Sequence, residues 1–96
     1  MRPSIVFEKN RQLIRDAVAQ RRTANPRIFG SVLHGTDHDG SDLDILVDAL
    51  PGATLFDLGG LEEELEEKLG VPVQVITPAE LHRFFKDKVL AEARPV

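Results

Sequence analysis

Apolar residues recur along the chain with two different spacings. Where they recur every three to four residues, they predict helices over residues 3–22, from Ser31 onward, and over 55–69 and 78–93. Short apolar or alternating runs predict strands that end at Phe29 or cover residues 42–47 and 71–76. The order α-β-α-β-α-β-α predicts an α/β (α+β) fold, in which a small mixed β-sheet has helices packed on one face.

The ends of the two later helices carry sequence signals. Thr54 with Asp57, and Thr77 with Glu80, are typical of N-terminal capping boxes, and Gly70 is typical of a helix end. Five leucines are expected to form the core-facing stripe of the first of these helices: Leu55, Leu58, Leu61, Leu65 and Leu69.

Two groups of side chains on these helices have more than one interpretation. The glutamates between residues 62 and 67 are expected to face water, with Glu64 paired to Lys68, although an acidic surface could also meet a basic partner. Phe84 and Phe85 are expected in the core. Any part of their helix face that stays exposed would suit a protein partner.

Composition narrows the class of protein. Ninety-six residues are expected to form one domain, residues 1–96, and the absence of cysteine excludes disulfides and zinc–thiolate sites. No secretory or membrane-spanning apolar run is present, so a cytoplasmic location is expected. The net charge of -4 disfavours non-specific binding to nucleic acid.

A glycine and a serine follow the first predicted strand. Gly30 permits a sharp turn and a close approach of a ligand to the backbone. Ser31 is then expected at the N-terminus of the next helix, where unpaired N–H groups and the helix dipole favour phosphate.

Two aspartates open the second predicted strand. Because side chains alternate along a strand, Asp42 and Asp44 point to the same side, about 7 Å apart, while Leu43 points to the core. Two adjacent carboxylates repel each other and suit a hard divalent cation such as Mg²⁺, which also takes substrate phosphates. The two motifs together predict a site for a metal-bound nucleoside triphosphate.

The spacing of Gly30-Ser31, ten residues, and Asp42-Leu43-Asp44 resembles the signature of the DNA-polymerase-beta-type nucleotidyltransferase superfamily. The size of the chain, and the residues Phe29, Gly35, Ser41 and Leu55-Phe56-Asp57-Leu58, resemble its minimal branch, the MNT-domain proteins. These proteins are commonly paired, as MntA-like antitoxins, with a HEPN-domain toxin.

The resemblance implies roles for individual residues. Asp42 and Asp44 would be catalytic and would hold one or two Mg²⁺ ions, while Gly30, Ser31 and Ser41 would bind the nucleotide. The substrate would be ATP, and the acceptor of AMP would be a hydroxyl, a tyrosine, of a partner HEPN toxin. No membrane or nucleic-acid partner is expected, and self-association stays open.

Gln74 departs from the family pattern. The family places a third carboxylate on the third strand, beside the Asp-x-Asp pair, and the aligned residue here is Gln74. An amide can offer one oxygen to a cation but cannot accept a proton at neutral pH. Nucleotide and metal binding are then expected to survive while transfer is slowed or lost.

The segment between the two motifs lacks the features of a calcium or zinc site. Residues 36–41 lack the glycine and the closing glutamate of an EF-hand, so they are interpreted as a solvated turn that delivers Asp42. His34 and His38 are four residues apart but lack the intervening glutamate of a zinc helix, and His34 is expected at an exposed helix end. Four arginines are expected on the outside and at the end of the first helix: Arg11, Arg15, Arg21 and Arg22. In an alternative interpretation, one of them reaches the triphosphate.

The two motifs, Gln74 and the family resemblance leave three candidate functions for this chain. The first is an antitoxin that transfers AMP to a protein, favoured by the intact Gly-Ser and Asp-x-Asp motifs. The second is a catalytically degenerate module that binds a nucleotide or a toxin, favoured by Gln74. The third is a small-molecule nucleotidyltransferase, for which the chain has no second domain to form an acceptor pocket.

Overall fold

The computed structural model describes all 96 residues, which form five helices, four strands and one 3-10 turn. The helices are α1 (Pro3–Lys9), α2 (Arg11–Ala19), α3 (Gly30–His34), α4 (Leu55–Leu69) and α5 (Arg83–Glu92). The strands are β1 (Thr23–Phe29), β2 (Leu43–Ala49), β3 (Val73–Ile76) and β4 (Arg94–Pro95), and the 3-10 turn is Pro78–Glu80. None of the five helices has both the length and the apolar character that a membrane crossing requires.

The four strands form one mixed sheet in the order β3-β2-β1-β4. Strand β2 runs antiparallel to β1 and parallel to β3, and β4 pairs antiparallel with β1 at Arg27 and Ile28. The predicted mixed sheet is therefore confirmed. Strand β4 was missed because two residues are too few to show a periodicity.

The core lies between the sheet and the helices α1, α2 and α4. Leu43, Ile45 and Val47, which alternate along β2, are each 0% exposed and pack against apolar residues of these helices. Each such side chain contributes about 1.5–3 kcal/mol through burial. Leu46, on the opposite face, is also fully buried, and the 3-10 turn contacts β2. The face that carries Asp44 is therefore open only in part.

The predicted N-terminal helix over residues 3–22 is two helices. Asn10 separates them with a non-helical backbone, at φ -130° and ψ 23°, and its side-chain amide donates a hydrogen bond to the carbonyl of Val6 at 2.8 Å. Asparagine competes for backbone hydrogen bonds in this way, which favours helix ends over helix interiors. The apolar spacing continues across Asn10, so periodicity alone could not locate the break.

The predicted C-terminal helix over residues 78–93 is also interrupted. The capping box of Thr77 and Glu80 is formed, but it opens only the 3-10 turn, because Leu81 is extended at ψ 133°. His82 then caps α5, where its Nδ1 accepts a hydrogen bond from the backbone N–H of Phe84. The capping box of Thr54 and Asp57 and the pairing of Glu64 with Lys68 at 2.9 Å are confirmed.

Three side chains predicted in the core lie in solvent. Phe84 is 74% exposed, Phe85 is 62% exposed, and Leu55 is 83% exposed. The other leucines of the α4 stripe are buried or half-buried, so the stripe is correct apart from its first member. No residue of α5 is buried. Helical periodicity identified an apolar face there, but it could not tell whether the chain itself covers that face.

Strand β3 lies at one edge of the sheet. The backbone N–H of Val75, on this strand, donates a hydrogen bond to Oε2 of Glu62 at 2.9 Å. Glu62 belongs to the run of α4 glutamates expected to face water, but it satisfies a backbone donor of the edge strand.

The acidic segment 36–41 was predicted as a solvated turn, but Asp37 is buried. Its carboxylate accepts hydrogen bonds from the backbone N–H of Ser4 at 2.8 Å and from the Arg2 guanidinium at 3.0 Å. Burial raises the pKa of Asp37, but these hydrogen bonds outweigh it and hold the pKa below its ordinary value of 3.8. Asp37 thus fastens the segment that leads to Asp42 onto the first turn of α1.

Replacing Asp37 by Asn is expected to lower the free energy of unfolding by about 2 kcal/mol near neutral pH, because two donors lose their charged acceptor. Since the pKa of Asp37 is lower in the folded state, its stabilisation is present above about pH 4 and is lost as the pH falls through the folded-state pKa. Urea denaturation at several pH values measures the difference, which is expected to shrink on acidification.

Asp39→Asn is the matched control for this prediction. Asp39 belongs to the same segment, and its side chain is 80% exposed. We expect a change below about 0.5 kcal/mol for it. Equal effects of the two substitutions would show that Asp37 has no special role.

Candidate active site

Gly30 and Asp44 meet at the point where β1 turns into α3. Phe29, the last residue of β1, pairs with Asp44 on β2, so Gly30 begins α3 beside the Asp44 side chain. Gly30 has a left-handed backbone with φ +74°, and a Cβ built there would overlap with the Asp44 carboxylate. Position 30 therefore requires glycine for two independent reasons.

The N-terminal turn of α3 presents backbone N–H groups without a side-chain partner. Phe29 stands at the N-cap position and makes no capping hydrogen bond. The first N–H groups of a helix have no intrahelical acceptor, so Ser31 and its neighbours can donate to an anion. Because α3 has only five residues, the local N–H groups and the Ser31 hydroxyl account for this capacity rather than a long helix dipole.

Asp42 and Asp44 lie together at the start of β2. Asp42 is exposed and Asp44 is half-buried. Burial and the neighbouring charge of Asp42 raise the pKa of Asp44 from 3.8 to about 6. The structure therefore concentrates negative charge at one end of the sheet, where a cation would relieve the repulsion.

Gln74 lies directly across from Asp44 in the parallel pairing of β2 with β3. It is exposed, whereas its neighbours Val73 and Val75 point into the core. The predicted alignment of Gln74 beside the carboxylate pair thus agrees with the register. No group of three or more acidic, histidine or cysteine side chains forms a metal site here.

The carboxylates of Asp42 and Asp44 are suitable ligands for a Mg²⁺ ion that binds together with a nucleotide. Mg²⁺ prefers oxygen ligands and is commonly bound through one or two carboxylates together with substrate phosphates and water. Asp42 and Asp44 supply the carboxylates, and the free N–H groups of α3 lie next to Asp44 to receive phosphate. The residues present suit a metal that arrives with a nucleotide better than a metal held by protein alone.

Ser41 has a structural contact of its own. Its hydroxyl oxygen accepts a hydrogen bond from the backbone N–H of His38 at 2.9 Å, and its backbone N–H donates to the carbonyl of His38 at 3.0 Å. Ser41 thereby closes the turn that precedes Asp42. Its hydroxyl hydrogen is still available to a ligand.

Comparison with known proteins agrees with this geometry. The family model described as "Nucleotidyltransferase domain" matches residues 11–96. A Methanocaldococcus jannaschii protein named "Putative protein adenylyltransferase MJ0435" is 46% identical over 66 residues, which cover 69% of this chain and 71% of that protein. The chain belongs to the nucleotidyltransferase domain family.

Solved structures support the minimal form of this nucleotidyltransferase domain. A structure described as "Structure of putative minimal nucleotidyltransferase" superposes with a TM-score of 0.86 at 33% identity, and the match covers 97% of this chain and 95% of the other. A "toxin-antitoxin with AMP-PNP" superposes with a TM-score of 0.69 at 22% identity, covering 97% of this chain and 71% of the other. The second match shows a shared fold.

Other polar residues of this nucleotidyltransferase domain contact different partners. Asp48, on the same strand face as Asp44, pairs with Arg27 at 2.7 Å and also accepts a hydrogen bond from Asn25. His34 lies at the exposed end of α3, as predicted, and its Nε2 is 3.0 Å from Oε2 of Glu92. The four N-terminal arginines bond to Glu8, Gln12, Glu64 or backbone carbonyls: Arg11, Arg15, Arg21 and Arg22.

Sequence reasoning missed Asp37, which holds the segment before Asp42. An aspartate in an acidic turn is usually solvated, and only its buried contact with α1 distinguishes it. The nearest signal is the N-terminus of α1, which starts with Pro3 and lacks a side chain of its own for the N–H of Ser4. A donor without a local acceptor indicates that some distant side chain supplies one.

Gly30→Ala and Gly35→Ala form a matched pair. Both glycines have positive φ, +74° and +72°, but only at Gly30 does a Cβ overlap with another group, the Asp44 carboxylate. We expect Gly35→Ala to cost about 1–2 kcal/mol of stability and Gly30→Ala about 3 kcal/mol. Denaturant unfolding measures both values, and equal costs would show that the contact with Asp44 is unimportant.

Asp44→Asn is expected to stabilise the metal-free protein. Because the folded-state pKa of about 6 lies above 3.8, the wild type loses stability as the pH rises from about 4 to about 6 and stays at that lower level above it. We therefore expect the variant to melt a few degrees higher than the wild type near neutral pH, with the gap closing toward pH 4.

Thermal unfolding in a chelator tests this expectation. Asp48→Asn is the control on the same strand, and it is expected to melt at or below the wild type because it weakens the ion pair with Arg27. An Asp44→Asn variant that melted below the wild type near neutral pH would contradict the charge repulsion described above.

Proposed function

We propose that this chain is a Mg²⁺-dependent adenylyltransferase that moves AMP from ATP to a tyrosine hydroxyl of a HEPN-domain toxin and thereby acts as its antitoxin. One observation carries the proposal: a Cβ at Gly30 would overlap with the Asp44 carboxylate, so the turn that begins α3 lies directly beside the acidic pair. The name of the 46% identical relative and the toxin–antitoxin complex with AMP-PNP support it.

Each residue of the site takes a role that its chemistry allows. The Ser31 hydroxyl and the first N–H groups of α3 bind the β- and γ-phosphates, and Gly30 keeps the backbone accessible. Asp42 and Asp44 hold one or two Mg²⁺ ions, and Ser41 fixes the turn before Asp42 and can donate its hydroxyl hydrogen to the nucleotide. Bound Mg²⁺ would neutralise charge on the triphosphate as the transfer proceeds.

The reaction forms a bond between the acceptor oxygen and the α-phosphorus and breaks the bond from that phosphorus to the leaving pyrophosphate. The phosphate contacts of α3 hold the leaving group, so the protein contributes mainly position and charge. Gln74 cannot take the proton of the acceptor hydroxyl. We therefore assign that proton to solvent or to a group of the acceptor protein.

A second function is favoured by Gln74. With an amide across from Asp44, the site loses one negative charge and one proton acceptor. A chain of this kind could bind ATP and its toxin without transferring AMP. The neutralisation of the toxin would then come from complex formation alone.

The two functions are separated by incubating the protein with ATP labelled at the α-phosphate, Mg²⁺ and the protein encoded beside it. We expect a labelled partner band that Asp44→Asn reduces by about a hundredfold or more. Asp48→Asn is the matched control, because it removes the same charge from the same strand outside the site. We expect it to leave labelling nearly unchanged.

Gln74→Asp completes the experiment. If the missing carboxylate limits transfer, this substitution is expected to raise labelling by at least about tenfold. If neither the wild type nor Gln74→Asp labels the partner, and ATP binding still depends on Asp44, the binding-only function is supported. Absence of both labelling and Asp44-dependent ATP binding would contradict both functions.

A further inference from the structure

Asp42 and Asp44 are held in place by different parts of the structure. Asp44 lies inside β2, where the sheet pairs it with a residue of β1 on one side and a residue of β3 on the other. Asp42 belongs to neither pairing, because Leu43 is the first residue that the sheet holds. The position of Asp42 therefore depends on the segment that precedes it, residues 36–41.

Segment 36–41 has a single buried side chain, that of Asp37. The other residues from His34 to Asp42 are exposed, apart from the half-buried Ser41. The turn that Ser41 closes with His38 lies within the segment, so it shapes the segment without attaching it to another element. Asp37 is thus the buried attachment point of the chain that leads to Asp42.

Two residues at the start of α1 hold Asp37 by three hydrogen bonds. The Arg2 guanidinium donates to the Asp37 carboxylate at 3.0 Å and to the backbone carbonyl of the same residue at 3.1 Å. The backbone N–H of Ser4 donates to the other carboxylate oxygen at 2.8 Å. Val6 and Phe7 anchor α1 in the core, so these bonds connect the segment to the core through α1. We call Arg2, Ser4 and Asp37 the α1 clamp.

We propose that Asp37 and Arg2 are positioning residues of the metal–nucleotide site, which hold Asp42 in place and thereby set the affinity for a metal-bound nucleotide. The inference rests on the proposed function, which assigns Asp42 and Asp44 to Mg²⁺. A ligand that is held in its binding geometry loses less conformational freedom when the metal arrives. Groups that orient metal ligands commonly change metal affinity by about 10–100-fold. Asp44 needs no such support, because the sheet holds it on both sides.

The sign of the effect at Arg2 separates positioning from a simple effect of charge. Removing the positive charge of Arg2 leaves this region more negative, so charge alone predicts tighter binding of a cation. Loss of the clamp predicts weaker binding, because Asp42 loses its support. Asp39 gives the matching comparison for Asp37: it carries the same charge two residues nearer to Asp42 in sequence, but its side chain is exposed.

The first test measures ATP binding in the presence of Mn²⁺, a paramagnetic ion that also prefers carboxylate ligands, by electron paramagnetic resonance and water proton relaxation. We expect Asp37→Asn to weaken this binding at least about tenfold and Arg2→Ala at least about threefold. We expect Asp39→Asn to change it by less than about twofold, because solvent screens that charge. Equal weakening by Asp39→Asn, or tighter binding by Arg2→Ala, would overturn the inference.

The second test needs neither metal nor nucleotide. Backbone order parameters from nitrogen-15 relaxation are about 0.85 for a rigid backbone and below about 0.6 for a flexible one. We expect residues 36–42 of the wild type to be close to the rigid value. Asp37→Asn is expected to bring them below about 0.6 while Asp44 stays rigid. An Asp42 that stays equally rigid without the Asp37 carboxylate would contradict the role of the clamp.

Ile14→Val controls for a general loss of stability. Ile14 is fully buried on α2, and the substitution removes one methylene from the core without touching the α1 clamp. We expect it to lower stability while leaving both Mn²⁺–ATP binding and the order parameters of residues 36–42 unchanged. Circular dichroism at the temperature of each measurement checks that every variant is folded. Weakening of binding by Ile14→Val as large as that by Arg2→Ala would show that the clamp has no specific role.

The inference and the proposed function fail in different ways in these experiments. A wild type and an Asp37→Asn variant that bind Mn²⁺–ATP equally well would overturn the inference and leave the proposed function standing. A wild type that binds no Mn²⁺–ATP would contradict both. Clamp-dependent binding without transfer of AMP would support the inference and contradict the proposed transfer, because the clamp concerns affinity and not the chemical step.

Discussion

The carboxylate of Asp44 lies so close to Gly30 that a Cβ at position 30 would overlap with it. This contact fixes how β1 is followed by α3, and it brings the free N–H groups of α3 next to the acidic pair. Asp44 also takes part in both strand pairings of β2. Its partner on β1 is Phe29, and its partner on β3 is Gln74. A shift of one residue in either pairing would separate the two halves of the site.

The site is maintained at a cost in stability. Burial and the charge of Asp42 both oppose the ionisation of Asp44 and raise its pKa to about 6. That cost is offset elsewhere, by the fully buried residues of β2 on the opposite face and by Asp37, whose hydrogen bonds lower its pKa. Two aspartates seven residues apart thus have opposite effects on stability: ionised Asp44 destabilises the fold, and Asp37 fastens the segment between them.

Local patterns were sufficient for much of the fold. Alternation identified the buried side of β2, capping residues located the start and end of α4, and the ten-residue spacing placed Gly30 near Asp44. The one-domain organisation remains a prediction, as do the roles of the site residues. What periodicity could not supply were long-range facts: the burial of Asp37 against α1, the two-residue β4, and the solvent exposure of Phe84 and Phe85. Asn10 and Leu81 interrupt helices without interrupting the apolar pattern, so only the folded backbone reveals them.

The hydrogen bond from the backbone N–H of Val75 to Glu62 changes what the edge of the sheet offers to other chains. An open sheet edge with unpaired N–H groups is a template on which other chains can add strands and aggregate. Here an acceptor from α4 already occupies a donor of β3, and it places a carboxylate beside that edge. The other edge is only two residues long. The bonded donor on one edge and the shortness of the other edge both disfavour the addition of a strand from another chain.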